Sequence, residues 1–136
     1  MKIFIACSKY FYGKVGSIKE VLENSGHEVV LPNCFDNPFE EYESGEPGTP
    51  EHILWKGNMM RTHKSNLRDV DAILVLNFEK KGIPNYIGGA TFMEVIKAWE
   101  LGKKILFYNP LPNCSFTDEL YGTDPFVING DLGLIR

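Results

Sequence analysis

Short apolar runs separated by longer amphipathic stretches make up most of this chain. Lys2 to Cys7 (KIFIAC) is the first run, and its lack of polar alternation predicts a strand buried on both faces, as in a parallel sheet. Ser17-Ile18-Lys19-Glu20 matches a capping box, which predicts a helix start there, continuing through Val21 and Leu22 and stopping at Gly26. Glu28 to Leu31 reads as a second strand. Pro32 to Thr49 carries Asn, Asp, Gly and Pro punctuation and the acidic group Glu40-Glu41-Tyr42-Glu43 with little periodicity, so a long loop is expected. Loops of this length in compact domains often serve as lids or binding loops, and a purely decorative loop fits the pattern as well.

Thr49-Pro50 restarts a helix, with Thr at the cap and Pro at the first helical position. Its apolar stripe is expected through Ile53, Met59, Met60, Leu67 and Val70, and His63, four residues from both Met59 and Leu67, points to the same side. Ala72 to Leu76 (AILVL) is the most strand-like segment and is expected at the sheet centre. After a loop over Asn77 to Ile87 comes a helix from about Thr91 to Leu101, ended by Gly102, then a strand over Lys104 to Tyr108. Asp118 to Tyr121 suggests a short helix and Phe126 to Ile128 a fifth strand. Strands alternating with helices predict an α/β fold: one flavodoxin-like doubly wound domain over 1–136, with a five-stranded, mainly parallel sheet and helices on both faces. Such sheets bind ligands at the carboxyl ends of their strands, so the segments after Cys7, Leu76 and Tyr108 are where chemistry is expected.

Composition narrows the function classes. The 136 residues suit one domain; 43% hydrophobic content excludes bulk disorder, and a net charge of −4 argues against a nucleic-acid polymer as partner. No apolar run approaches a membrane span, and the chain enters a strand pattern at once, without a signal peptide. Cys7, Cys34 and Cys114 form no CxxC pair and read as reduced thiols of a cytoplasmic protein, Cys7 as a buried strand residue. His27 and His52 have no partner at metal-ligand spacing, so neither a metal site nor a cofactor is expected. Trp55 and Trp99 fall in helical patterns and read as packing residues.

Two loops carry candidate chemistry. In Asn85-Tyr86-Ile87-Gly88-Gly89-Ala90-Thr91-Phe92-Met93-Glu94, Gly88 and Gly89 let the backbone approach a ligand at a helix start. Glu94, expected in the first turn, is a carboxylate that can act as a nucleophile. Thr91-x-x-Glu94 is also a capping box, in which Glu94 would only close the helix end. In the loop after the first strand, Ser8 and Lys9 offer groups for a phosphate or a ribose hydroxyl, and Tyr10 and Tyr12 offer faces for a base. Lys80-Lys81 offers a further basic spot. His63 is either a core histidine or a catalytic one.

The segment DAILVLN…YIGGATFMEVIKAWELGKKILFYNP, together with the opening KIFIACS, resembles the nucleoside 2-deoxyribosyltransferase superfamily, which includes the 2′-deoxynucleoside 5′-phosphate N-hydrolases. The resemblance spans most of the chain apart from Pro32–Thr49. It implies cleavage or transfer of an N-glycosidic bond in a (deoxy)nucleoside or its 5′-monophosphate. The glutamate matched by Glu94 would attack C1′ to give a glycosyl-enzyme. The ligand side would be lined by Ser8, Lys9, Tyr10, Tyr12, Asn77, Gly88 and Gly89, and a neighbouring subunit would complete the pocket in a homodimer or higher oligomer. Ser8 matches a phosphate-contacting serine of the hydrolases. Three positions depart from the pattern: Phe4 stands where the family has a tyrosine touching the glutamate, His63 where it has an aspartate, and Gly88 where it has Asp or Ser. His63 is thereby a candidate acid/base or positioning group. Two other readings stay open: a nucleotide-binding module without turnover, and a glycosidase acting on a nicotinamide dinucleotide.

Overall fold

The computed structural model describes residues 1–136, the side chain of Lys64 excepted. Five strands, β1 (Lys2–Ala6), β2 (Glu28–Val30), β3 (Ala72–Val75), β4 (Lys104–Phe107) and β5 (Phe126–Val127), form one sheet in the order β2-β1-β3-β4-β5. All four pairings are parallel, so the sheet is parallel throughout. This is the doubly wound α/β arrangement expected, with β3 at its centre. Period-two alternation along the strands sends Ile3, Ile5, Ala72 and Leu74 to one face and Phe4, Ala6, Ile73 and Val75 to the other. Helix α1 (Tyr12–Asn24) covers the first face through Val15, Ile18 and Leu22. Helices α3 (Pro50–Arg68), α4 (Gly89–Glu100) and α5 (Thr117–Gly122) supply Leu67, Val95, Ala98 and Leu120 to the second.

Several local expectations change. Ser17 does not start a helix: Ser8 caps a 3-10 turn over Lys9–Phe11 that runs directly into α1, and Ser17 lies mid-helix with its hydroxyl donating to the Lys14 carbonyl. The buried set Phe11, Val15, Ile18 and Leu22 keeps helical spacing from the earlier start. Gly26 ends the turn at φ +92°, where glycine costs nothing. The long loop holds a single helical turn, α2 (Glu40–Glu43). At the start of α3, Pro50 takes the first helical position, but the Thr49 hydroxyl donates to Glu46 O instead of capping the helix. Ile53 is 61% exposed, so the buried stripe of α3 runs through His52, His63 and Leu67 and on to Val70 just beyond the helix. Trp99 is half exposed instead of packed. Among the described residues no helix is long and apolar enough to cross a membrane.

Candidate active site

A cavity of about 510 Å³ opens at the carboxyl ends of β1, β2 and β3, the place where the strand order reverses between β1 and β3. Its floor comes from Cys7 and Ser8 after β1 and from the segment Gly88–Thr91 with Met93 and Glu94. Its walls come from Tyr12 on α1, from Pro32, Asn33 and Cys34 after β2, and from Trp55, Met59 and His63 on α3. Those three residues of α3 recur every four positions, the spacing that lays side chains along one helix face. That volume lies within the ~300–1,000 Å³ common for small-molecule sites.

Glu94 lies deep in this cavity, 6% exposed. Helix α4 begins at Gly89 with Gly88 as its cap, so Glu94 stands in the second turn and not the first. Thr91-x-x-Glu94 is therefore no capping box; both side chains face inward with Val95 and Ala98. The helix dipole falls off within one turn, so it gives the carboxylate little help. Burial raises the Glu94 carboxyl to about 8, against the opposing pull of the Lys97 ammonium. Lys97 itself donates to Met60 O at 2.6 Å and so ties α4 to α3. The same burial, reinforced by the Glu94 charge, pushes the Cys7 thiol up to about 12, which makes it inert at neutral pH. Burial also raises the Tyr12 phenol, whose hydroxyl donates to Asn33 O at 2.8 Å.

His63 is buried against the cavity, and its Nδ1 has no hydrogen-bond partner among the described residues. Burial first, and then the charges of Lys97 and Lys56, lower its pKa to about 4, so the imidazole is neutral at pH 7. The Asn33 amide is anchored by Asn66, whose Nδ2 donates to Asn33 Oδ1 at 2.7 Å. Gly88 is closely covered, since a Cβ there would lie 3.3 Å from the Tyr86 hydroxyl oxygen.

The residues expected at the ligand are only partly brought together. Ser8, Lys9, Tyr12, Gly88, Gly89, His63 and Glu94 all line the cavity. Tyr10 does not: it is 56% exposed and packs edge-on against Phe11. Asn77 does not either. It is fully buried, with its amide donating to the Asn109 and Pro110 carbonyls (3.0 and 2.9 Å) and accepting from Asn109 N at 2.9 Å, a clamp between the ends of β3 and β4. The segment after Tyr108 is spent on that clamp and adds nothing to the cavity. The four-residue spacing of Trp55, Met59 and His63 is the signal that could have placed Trp55 at the site instead of in packing.

The loop after β2 closes over the rim. Trp55 Nε1 donates to Glu40 Oε1 at 3.1 Å, Cys34 Sγ donates to Glu40 Oε2 at 3.5 Å, and Ser44 Oγ lies 3.0 Å from His52 Nδ1. Glu41 accepts from both Lys9 and Lys56. Elsewhere His27 lies between the Met1 amine and Ile135 O. Among the described residues no three His, Cys, Asp or Glu side chains converge as metal ligands do.

No protein-family model matches the chain, and no curated protein matches it by sequence. Solved structures do match. A 2-deoxyribosyltransferase from the psychrotolerant bacterium Bacillus psychrosaccharolyticus superposes with a TM-score of 0.58 at 19% identity, over 93% of this chain and 82% of that one. A CMP N-glycosidase from Clostridium botulinum gives 0.53 at 14% identity, over 93% and 85%. The chain shares their fold. The doubly wound architecture that the resemblance implied is thus shared across nearly the whole chain.

Proposed function

We propose that the protein cleaves or transfers the N-glycosidic bond of a (deoxy)nucleoside or nucleoside 5′-monophosphate, with Glu94 as nucleophile. The observation that carries this reading is a buried carboxyl with no hydrogen-bond or ion-pair partner among the described residues, set on the floor of a cavity at the switch point of the sheet. The shared fold with a deoxyribosyltransferase and a CMP N-glycosidase supports it.

In the proposed reaction a Glu94 oxygen bonds to C1′ as the bond from C1′ to the base nitrogen breaks, passing through an oxocarbenium-like state. The electron pair of the broken bond stays on the base. Its burial leaves Glu94 holding a proton at pH 7, and the departing base needs one, so the two requirements balance. His63, neutral in the same cavity, is the group assigned to pass that proton or to hold the base. Water, or a second base bearing an N–H, then bonds to C1′ as the bond from C1′ to the Glu94 oxygen breaks, and the proton of the attacking group returns to Glu94. Tyr12 and Trp55 supply faces for the base, and the Gly88-Gly89 backbone supplies close approach for the sugar. A second copy that closes the rim belongs to the same reading. Phe39, Tyr42, Ile53 and Leu54 are exposed beside α2, on it and near the start of α3, and sedimentation as a dimer tests this.

Incubation with a panel of nucleosides and monophosphates, with chromatography of the free base, tests the activity. Base release is expected, and release undiminished in Glu94→Ala removes Glu94 from its role. Phe4 favours a second reading, since it is fully buried and offers no hydroxyl to a carboxylate. On that reading the protein binds nucleotides without turnover. Ligands then raise the melting temperature while no base appears.

A further inference from the structure

The loop Pro32–Thr49 stands outside the residues that carry the sequence resemblance, and it places one charged side chain in the cavity. Glu41 sits between Lys9, from the turn after β1, and Lys56, from α3. Lys9 Nζ donates to Oε2 at 2.6 Å and Lys56 Nζ to Oε1 at 3.1 Å, so each carboxylate oxygen is taken by one ammonium. All three residues line the cavity, and all three remain partly exposed. Two cations and one anion leave a charge of +1 at this point of the rim. Glu40 keeps its own charge, but its two oxygens accept from Trp55 Nε1 and Cys34 Sγ and from neither lysine, and Glu94 lies buried on the floor.

We propose that Lys9 and Lys56 form an anion subsite, that Glu41 is its resting occupant, and that the subsite takes the phosphate of a nucleoside 5′-monophosphate. The inference deepens the N-glycosidase function and rests on it for the rest of the ligand. A phosphate dianion matches the two ammonium groups in charge, which a single carboxylate does not, and its three terminal oxygens can accept from both lysines at once. The exchange conserves contacts, since two lysine bonds leave Glu41 and two form to phosphate. Glu41 rides on a one-turn helix in a loop, so it can turn out to water when displaced. A nucleoside without phosphate has no group to take the lysines from Glu41. The site therefore selects monophosphates, and Glu41 sets how strongly.

Calorimetric binding at low salt tests this without any turnover. The probes are orthophosphate, 2-deoxyribose 5-phosphate and 2-deoxyribose, and the proteins are the wild type, Glu41→Gln, Lys9→Met and Lys56→Met. Glu41→Gln is expected to bind 2-deoxyribose 5-phosphate roughly tenfold more tightly, with no gain for 2-deoxyribose, and each lysine variant to lose roughly tenfold or more, the scale of one charged hydrogen bond. Unchanged or weaker sugar-phosphate binding by Glu41→Gln overturns the proposal, as does full affinity in both lysine variants. A gain confined to orthophosphate overturns the substrate assignment. If Glu41→Gln does not fold, the lysine variants read the same subsite without touching the loop. Phosphate binding as expected with no base release from any nucleotide would remove the N-glycosidase reading and keep the subsite. Base release without preference for monophosphates would do the reverse.

Discussion

Glu94, in the second turn of α4, and Glu41, on the one-turn helix after β2, line the same cavity, yet their surroundings push them in opposite directions. Burial raises the first to about 8, whereas hydrogen bonds from Lys9 and Lys56 outweigh partial burial and hold the second below its ordinary range. The floor of the cavity is built by secondary structure: α4 enters directly from the Gly88-Gly89 turn and aims Glu94 at the sheet. The rim is built by a loop whose acids Glu40 and Glu41 already have partners, Trp55 and Cys34 for the first and Lys9 and Lys56 for the second. A buried carboxyl without a partner is costly, and a fold that keeps one leaves a place for a ligand to complete. A carboxylate shared by two lysines is complete, and it matters to function only when something takes those lysines away.

The comparison breaks first at Glu94. Glu94→Gln should lower base release on the order of 10³-fold or more, as the loss of a covalent nucleophile does, while circular dichroism shows the fold intact. The same variant should be more stable than the wild type at alkaline pH. A carboxyl raised from 4.5 to about 8 binds its proton more tightly in the folded state. The stability it confers is complete below pH 4.5 and lost as pH rises to about 8, on the order of 5 kcal/mol across that window. Thermal melts of the two proteins should coincide in acid and diverge through this range.

A control away from the cavity sharpens the contrast. Asn77→Ala strands the Asn109 and Pro110 carbonyls and the Asn109 amide, and should cost about 2–4 kcal/mol in urea melts without a matching loss of base release by the protein that stays folded. Smallest is Glu41→Gln, where partial exposure screens the pairs, so the loss should be about 1 kcal/mol or less at pH 7. That contribution is present above the ordinary glutamate pKa and fades as pH falls through the lowered one, opposite in sign to Glu94.

The succession of strands and helices along the chain, the central place of Ala72–Val75 and a ligand site at the strand ends were legible because apolar runs and helical spacing depend on local chemistry that the sequence displays. What was not legible depended on contacts between distant segments. Ser17-x-x-Glu20 and Thr91-x-x-Glu94 both carry capping-box chemistry, but Ser8 and Gly88 start their helices earlier, and tertiary burial of Val15 and Glu94 decides the faces. Asn77 lies next to the strand that feeds the site, yet only the approach of Asn109 shows that its amide is spent. Glu41 looked like one of several loop acids, and nothing local marks it as the one that Lys9 and Lys56 meet.

The most direct test of Glu94 as nucleophile is to quench the protein in acid during turnover of a substrate found in the base-release panel, digest it, and map the adduct by mass spectrometry. A glycosyl or glycosyl-phosphate ester on the peptide at Glu94, absent from Glu94→Gln, is the predicted result. Base release with no adduct on any residue under rapid quench, or an adduct on another side chain, would contradict the account.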